Sequence, residues 1–189
     1  MACVTLYFRV AVTALFWVAT AAAGLEAGDP LTASSLLLGA HRCGRQEWPE
    51  NTLVAIREAS KRWPEVMLEV DAQLSSDGHV VLMHDFAVDR TTDGSGHVGS
   101  QTLDALQALD AAYHFTRNGG ETFPYRGTGI RIPTLKEVLM AAPDHRFFIE
   151  MKDGADIGRA MAEVIREAGA AHRCIVASIS PLFLEAFRA

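Results

Sequence analysis

The chain has 189 residues, 49% of them hydrophobic and 21% charged, with a formal charge of −6 at pH 7. That is enough apolar material for a packed domain and too balanced a composition for a disordered one. An acidic chain without a basic face also excludes the electrostatic footprint of a nucleic-acid binder.

Residues 1–24 carry one charge, Arg9, then an apolar run over 10–19 and the small residues Thr20, Ala21, Ala22, Ala23 and Gly24. Charged, apolar and small-residue zones in that order predict a cleaved secretory signal peptide ahead of the alternative, an uncleaved anchor. The run is shorter than the about 20 apolar residues of a membrane span. The expectation is export to the periplasm or beyond, with 25–189 as the mature domain and no stable membrane span in it. Cys3 precedes the run, so no cysteine stands where a lipid would attach.

A short apolar run over 36–40 ends at His41-Arg42, with Leu37, Gly39 and His41 on one strand face. Pro49-Glu50-Asn51-Thr52 then opens a helix. Either Asn51 or Thr52 is its N-cap, a role that suffices to explain Asn51, and Leu53, Ile56 and Ala59 form the inner stripe. Trp63-Pro64 ends it. Residues 66–73 read as a strand with Val66, Leu68, Val70 and Ala72 on one face and Met67, Glu69, Asp71 and Gln73 on the other. Such a face is either the polar side of an antiparallel sheet or a crowded carboxylate pair that needs a proton or a cation between its members. A hard, oxygen-ligated divalent ion, Mg²⁺ or Ca²⁺, suits the second case.

After a turn at Asp77-Gly78, residues 80–84 read as a further strand. Val80, Leu82 and His84 would form its inward column, so that His84 faces His41, while Asp85 on the other face orients the loop. Arg90-Thr91-Thr92-Asp93-Gly94 is rich in turn residues. A helix over 103–109 precedes an irregular stretch, 110–131, too long for a plain connection. Its Tyr113, Phe115, Phe123 and Tyr125 either wall a substrate pocket or pack the loop onto the domain. Thr134 and Glu137 spell a capping box. The strand 146–151 points Phe148, Glu150 and Lys152 to one side, so Glu150 either joins Glu69 and Asp71 or only pairs with Lys152. A helix over 155–168, a strand over 174–178 and a helical start at Pro181 follow. His79, His97, His114, His145 and His172 fall in turns or flanks and are assigned no chemistry.

In that order, His41-Arg42, Pro49-Glu50-Asn51-Thr52, Glu69-Val70-Asp71, Asp77-Gly78, His84-Asp85, Arg90-Thr91-Thr92, the stretch IRIPTLKEVL and Glu150-Met151-Lys152 resemble the signature of the glycerophosphodiester phosphodiesterase family. The resemblance runs from Leu36 to the C-terminus. It implies an α/β fold, a TIM (β/α)8-type barrel, that hydrolyses a small-molecule glycerophosphodiester to glycerol 3-phosphate and an alcohol. Glu69, Asp71 and Glu150 would hold one divalent cation, Mg²⁺ or Ca²⁺, with Arg42 and Lys152 on the substrate phosphate. His41 and His84 would act as general base and general acid, in either assignment, and Glu50 would support the metal or Arg42 from behind. Family members usually have glycine where this chain has Cys43. In the barrel, Cys43 and Cys174 fall at opposite rims about 15 Å apart, beyond the disulfide limit of about 7 Å, which predicts that they are not bonded.

A barrel of this type takes about 250 residues. Only five βα units can be counted here, which predicts a truncated barrel with unpaired sheet edges open to self-association. Two rival readings stand beside the diesterase. One is a sphingomyelinase D-like lysophospholipase that forms a cyclic phosphate; the other is an inactive barrel that only binds metal or phosphate.

Overall fold

The computed structural model describes residues 17–20, 38–152 and 155–188. In chain order these form β1 (Trp17–Thr20), β2 (Gly39–Ala40), α1 (Leu53–Arg62), β3 (Met67–Leu74), β4 (Val80–Leu82), α2 (Leu103–Gln107), α3 (Leu135–Ala141), β5 (Phe147–Met151), α4 (Ala155–Glu167), β6 (Cys174–Ser178) and α5 (Pro181–Arg188). The predicted signal segment lies outside the described residues except for Trp17–Thr20, which run antiparallel beside β6. Of the predicted strand 36–40, residues 36 and 37 also lie outside them.

Strand periodicity organises the sheet. Its order is β1-β6-β5-β3-β2, with β2, β3, β5 and β6 mutually parallel. Parallel neighbours joined through helices are the repeating unit of a (β/α)8-type barrel. The apolar faces of these strands, Leu68, Val70 and Ala72 on β3 and Phe147, Ile149 and Met151 on β5, pack in one core with Ile56 of α1, Leu139 of α3, Ile157 and Met161 of α4, and Leu184 of α5. Each face therefore buries under a helix, and the opposite, polar face is left for the site. α4 and α5 approach so closely that a Cβ added at Gly158 would stand 2.7 Å from the Phe187 amide nitrogen.

Helix starts follow local chemistry. Thr52 caps α1, its hydroxyl accepting from the Ala55 amide, and Thr134 with Glu137 forms the predicted capping box of α3. The segment 110–131 contains no helix or strand. Cys43 and Cys174 are both buried free thiols. No helix among the described residues is long and apolar enough to cross a membrane.

One strand departs from the sequence reading. β4 runs antiparallel to β3, pairing Ala72 with Leu82 and Leu74 with Val80. It is the return limb of a hairpin, whose turn is closed by Ser75 N–H to the His79 carbonyl and by Gly78 at φ +85°, so the described residues hold four parallel strands rather than the five βα units expected. Alternation is blind to strand direction, and only the tightness of the Asp77-Gly78 turn could have indicated it. The faces also exchange: Val80 and Leu82 join the main core, while Val81 packs in a smaller one with Met83, Val98 and Leu106. His84 thus stands in a bend beyond the strand rather than in an inward column.

Candidate active site

Register brings the acidic residues together. The parallel β3–β5 pairing sets Asp71 beside Glu150, and Glu69 shares the β3 face with Asp71. One oxygen from each of Glu69, Asp71 and Glu150 lies within 4.8 Å of the others. Burial, reinforced by the Asp71 charge, pushes the Glu69 carboxyl up to about 8 despite the hydrogen bond it accepts from the Arg42 amide. Lys152 sits among these groups, its Nζ 2.8 Å from Glu150 and 3.1 Å from Asp71 Oδ1. Burial works against its charge, but Glu150 and Asp71 outweigh that and raise its pKa. Glu150 therefore both joins the cluster and pairs with Lys152.

His41 and Arg42 follow β2 in a tight, kinked turn over His41–Cys43. Arg42, Cys43 and Gly44 are all left-handed there, with φ of 49°, 56° and 85°. That unusual run turns the Arg42 amide onto Glu69 and its guanidinium toward Glu50 and Asp71, with Nη1 3.0 Å from Glu50 and Nε 3.7 Å from Asp71. An L side chain at the φ of position 43 costs about 1 kcal/mol, which Cys43 bears. Here the Cys43 thiol is absorbed by the core, its Sγ 3.5 Å from the Glu69 carbonyl. Burial, then Glu69 and Asp71, push that thiol well above its ordinary range. His41 is half-buried, and burial followed by the charges of Arg42 and Arg45 lowers its pKa.

His84 is joined to this centre through a chain of ion pairs. Its Nδ1 lies 2.6 Å from Asp85. Asp85 accepts from Arg90 Nε, and Arg90 reaches Glu50 with both terminal nitrogens, at 2.6 and 3.0 Å. Glu50 in turn accepts from Arg42. Burial pushes the Glu50 carboxyl up, yet Arg90 and Arg42 together hold it below the usual range. For Asp85, burial is likewise overcome by Arg90 and His84, which bring it to about 2.

Three roles escaped the sequence reading. Asn51 does not cap the helix: it is buried at φ 55°, donates to Asp71 Oδ2 at 2.9 Å, and accepts the Asp71 amide at 3.2 Å. Asp85 orients His84 rather than only its loop, and Arg90 is the bridge between the two halves of the site. The sequence signal for Asn51 and Arg90 was limited to their places in the signature, because their partners lie 20 and 40 positions away. Tyr113, Phe115, Phe123 and Tyr125 mostly pack their own loop, Phe115 meeting Tyr125 edge-on at 5.5 Å.

The donor set fits a hard divalent cation. All three candidate ligands offer carboxylate oxygens, and buried Asp71 Oδ1 accepts no aligned hydrogen bond although Lys152 is near. A carboxyl pushed up to about 8 by burial and by the neighbouring Asp71 charge marks a site short of positive charge.

A sequence model described as the glycerophosphoryl diester phosphodiesterase family matches residues 41–188. An uncharacterised protein of Mycobacterium tuberculosis is 39% identical over 145 residues, covering 75% of this chain and 48% of that protein. A glycerophosphodiester phosphodiesterase of Caldanaerobacter subterraneus is 38% identical over 150 residues, covering 76% of this chain and 58% of its own. The crystal structure of the glycerophosphoryl diester phosphodiesterase domain of the M. tuberculosis protein superposes with a TM-score of 0.74 at 36% identity, covering 79% of this chain and 55% of that one. A phosphodiesterase of Oleispira antarctica, solved with its product sn-glycerol-3-phosphate, gives 0.63 at 26%, covering 78% and 59%. The chain thus spans about half the length of these two relatives, the M. tuberculosis and Caldanaerobacter proteins.

Proposed function

Because the chain belongs to the glycerophosphoryl diester phosphodiesterase family, we propose that its site hydrolyses glycerophosphodiesters to glycerol 3-phosphate and an alcohol. The observation that carries this reading is the convergence of Glu69, Asp71 and Glu150 within 4.8 Å, flanked by Arg42 and Lys152. Those three carboxylates would hold the divalent cation, Mg²⁺ or Ca²⁺. When bound, it supplies Lewis-acid polarisation of the phosphodiester and neutralises charge on it.

The remaining work falls to the chain's own side chains. Arg42 and Lys152 take the nonbridging oxygens, whose negative charge grows as phosphorus is attacked. His41, whose pKa is lowered by burial and by two arginines, is suited to accept the proton of the attacking water. His84 keeps Nδ1 on Asp85 and so presents Nε2; from there it gives a proton to the leaving alkoxide. Export through residues 1–24 belongs to the same proposal and rests on their charged, apolar and small-residue order.

The test is incubation of the purified chain with glycerophosphocholine and glycerophosphoinositol, in Mg²⁺ or Ca²⁺ and in chelator, reading glycerol 3-phosphate enzymatically and phosphorus species by ³¹P NMR. Release that the chelator stops is expected. Release indifferent to chelator, a cyclic phosphate as end product, or no release from either substrate would each overturn the proposal.

A further inference from the structure

Next to the Glu50–Arg90 ion pair lies a cavity of about 180 Å³ whose lining includes Arg45, Glu50, Arg90, Thr91, His114 and Phe115. Glu50 and Arg90 also belong to the ion-pair chain that runs from Arg42 to His84, so this cavity adjoins the groups assigned to the phosphate. Its charge is one-sided. Glu50 is already shared by Arg42 and Arg90, and Arg90 is further held by Asp85. Arg45 is exposed and has no acidic partner among the described residues.

The aromatic residues of the neighbouring loop do not form a cage for a quaternary ammonium, which needs ring faces free to meet it. Arg117 lies 5.8 Å from the centroid of Phe115 and 5.7 Å from that of Tyr125. Arg126 lies 4.1 Å from Tyr113 and 3.8 Å from Phe123. All four rings therefore already carry a guanidinium, and a cationic head group approaching them meets like charge first.

We propose that this cavity receives the alcohol portion of the glycerophosphodiester and, through Arg45, selects alcohols bearing an anionic group, a phosphomonoester or carboxylate, over those bearing a quaternary ammonium. The inference rests on the phosphodiesterase reading of the adjoining site. Arg45 is the only lining guanidinium without an acidic partner among the described residues.

The test uses the full chain carrying His84→Ala, which takes turnover out of a binding measurement, titrated calorimetrically in Mg²⁺ with glycerophosphoinositol 4-phosphate and with glycerophosphocholine. The 4-phosphate should bind at least about tenfold more tightly, and adding Arg45→Glu should bring that ratio to about one or below. Equal affinities, no measurable binding of either compound, tighter glycerophosphocholine, or a ratio that Arg45→Glu leaves in place overturns the inference. Turnover by the wild-type chain is scored separately. Hydrolysis without the binding preference sinks only the head-group selection, and the preference without hydrolysis sinks only the activity.

Discussion

Arg90→Met removes the bridge between the two halves of the site while keeping much of the side chain's volume. In the native arrangement Arg90 makes two bonds to Glu50, at 2.6 and 3.0 Å, and one to Asp85. Glu50 is only 12% exposed, but it keeps its 3.0 Å partner in Arg42, and Arg90 itself is 45% exposed. Solvent screening at the arginine and the surviving Arg42 bond limit the loss of stability to about 1–2 kcal/mol. Catalysis should suffer more. Asp85 loses the cation that fixes it, and loss of a group that orients a functional side chain typically costs about 10–100-fold. The assay pairs urea denaturation with kcat on glycerophosphoinositol at concentrations where the variant is fully folded. Free guanidinium should restore part of the rate, and Arg90→Lys should fall between, because one ammonium cannot reach both carboxylates in a fork. A kcat within about twofold of wild type in a folded Arg90→Met protein would refute the bridge.

Three further outcomes follow from the same geometry. The Glu69 carboxyl, raised from near 4.5 to about 8 first by burial and then by Asp71, favours the folded state fully below about pH 4.5 and loses that contribution as pH rises through 8. In chelator the urea midpoint should therefore fall between pH 5 and pH 9, and saturating Mg²⁺ or Ca²⁺ should flatten the fall; a midpoint that rises over this range contradicts the assignment. Asn51→Ala should cost about 2–4 kcal/mol in denaturation, because it strips two hydrogen bonds from buried Asp71. Thr52→Ala, which removes the helix cap, should cost only about 1 kcal/mol, so the reverse ranking would contradict the role given to Asn51 in holding Asp71. Gly158→Ala should destabilise by about 1–3 kcal/mol, since the new methyl would press on the Phe187 amide and the Phe183 carbonyl; an unchanged thermal midpoint would show that α4 and α5 can separate without penalty.

Much of the site was legible because the relevant period is local. Alternation alone put Glu69 with Asp71 and Glu150 with Lys152 on the faces opposite Leu68, Val70, Phe147 and Ile149, and the structure keeps those faces. Turn and cap chemistry likewise marked Thr134 with Glu137. The same alternation misread 80–84, because a strand's side-chain period is identical whether it runs parallel or antiparallel to its neighbour.

What the sequence determined by itself was the set of groups each short segment could present, since successive side chains are placed by backbone geometry within a few residues. Tertiary structure alone decided which of these groups meet. The pairing of Asp71 with Glu150 depends on the register of two strands joined through 110–131 and α3. The bonds of Asn51 to Asp71 and of Arg90 to Glu50 join residues whose spacing carries no period. Contacts of that kind exist only once packing has closed the intervening chain, and their strength comes from the burial that packing imposes on the charges.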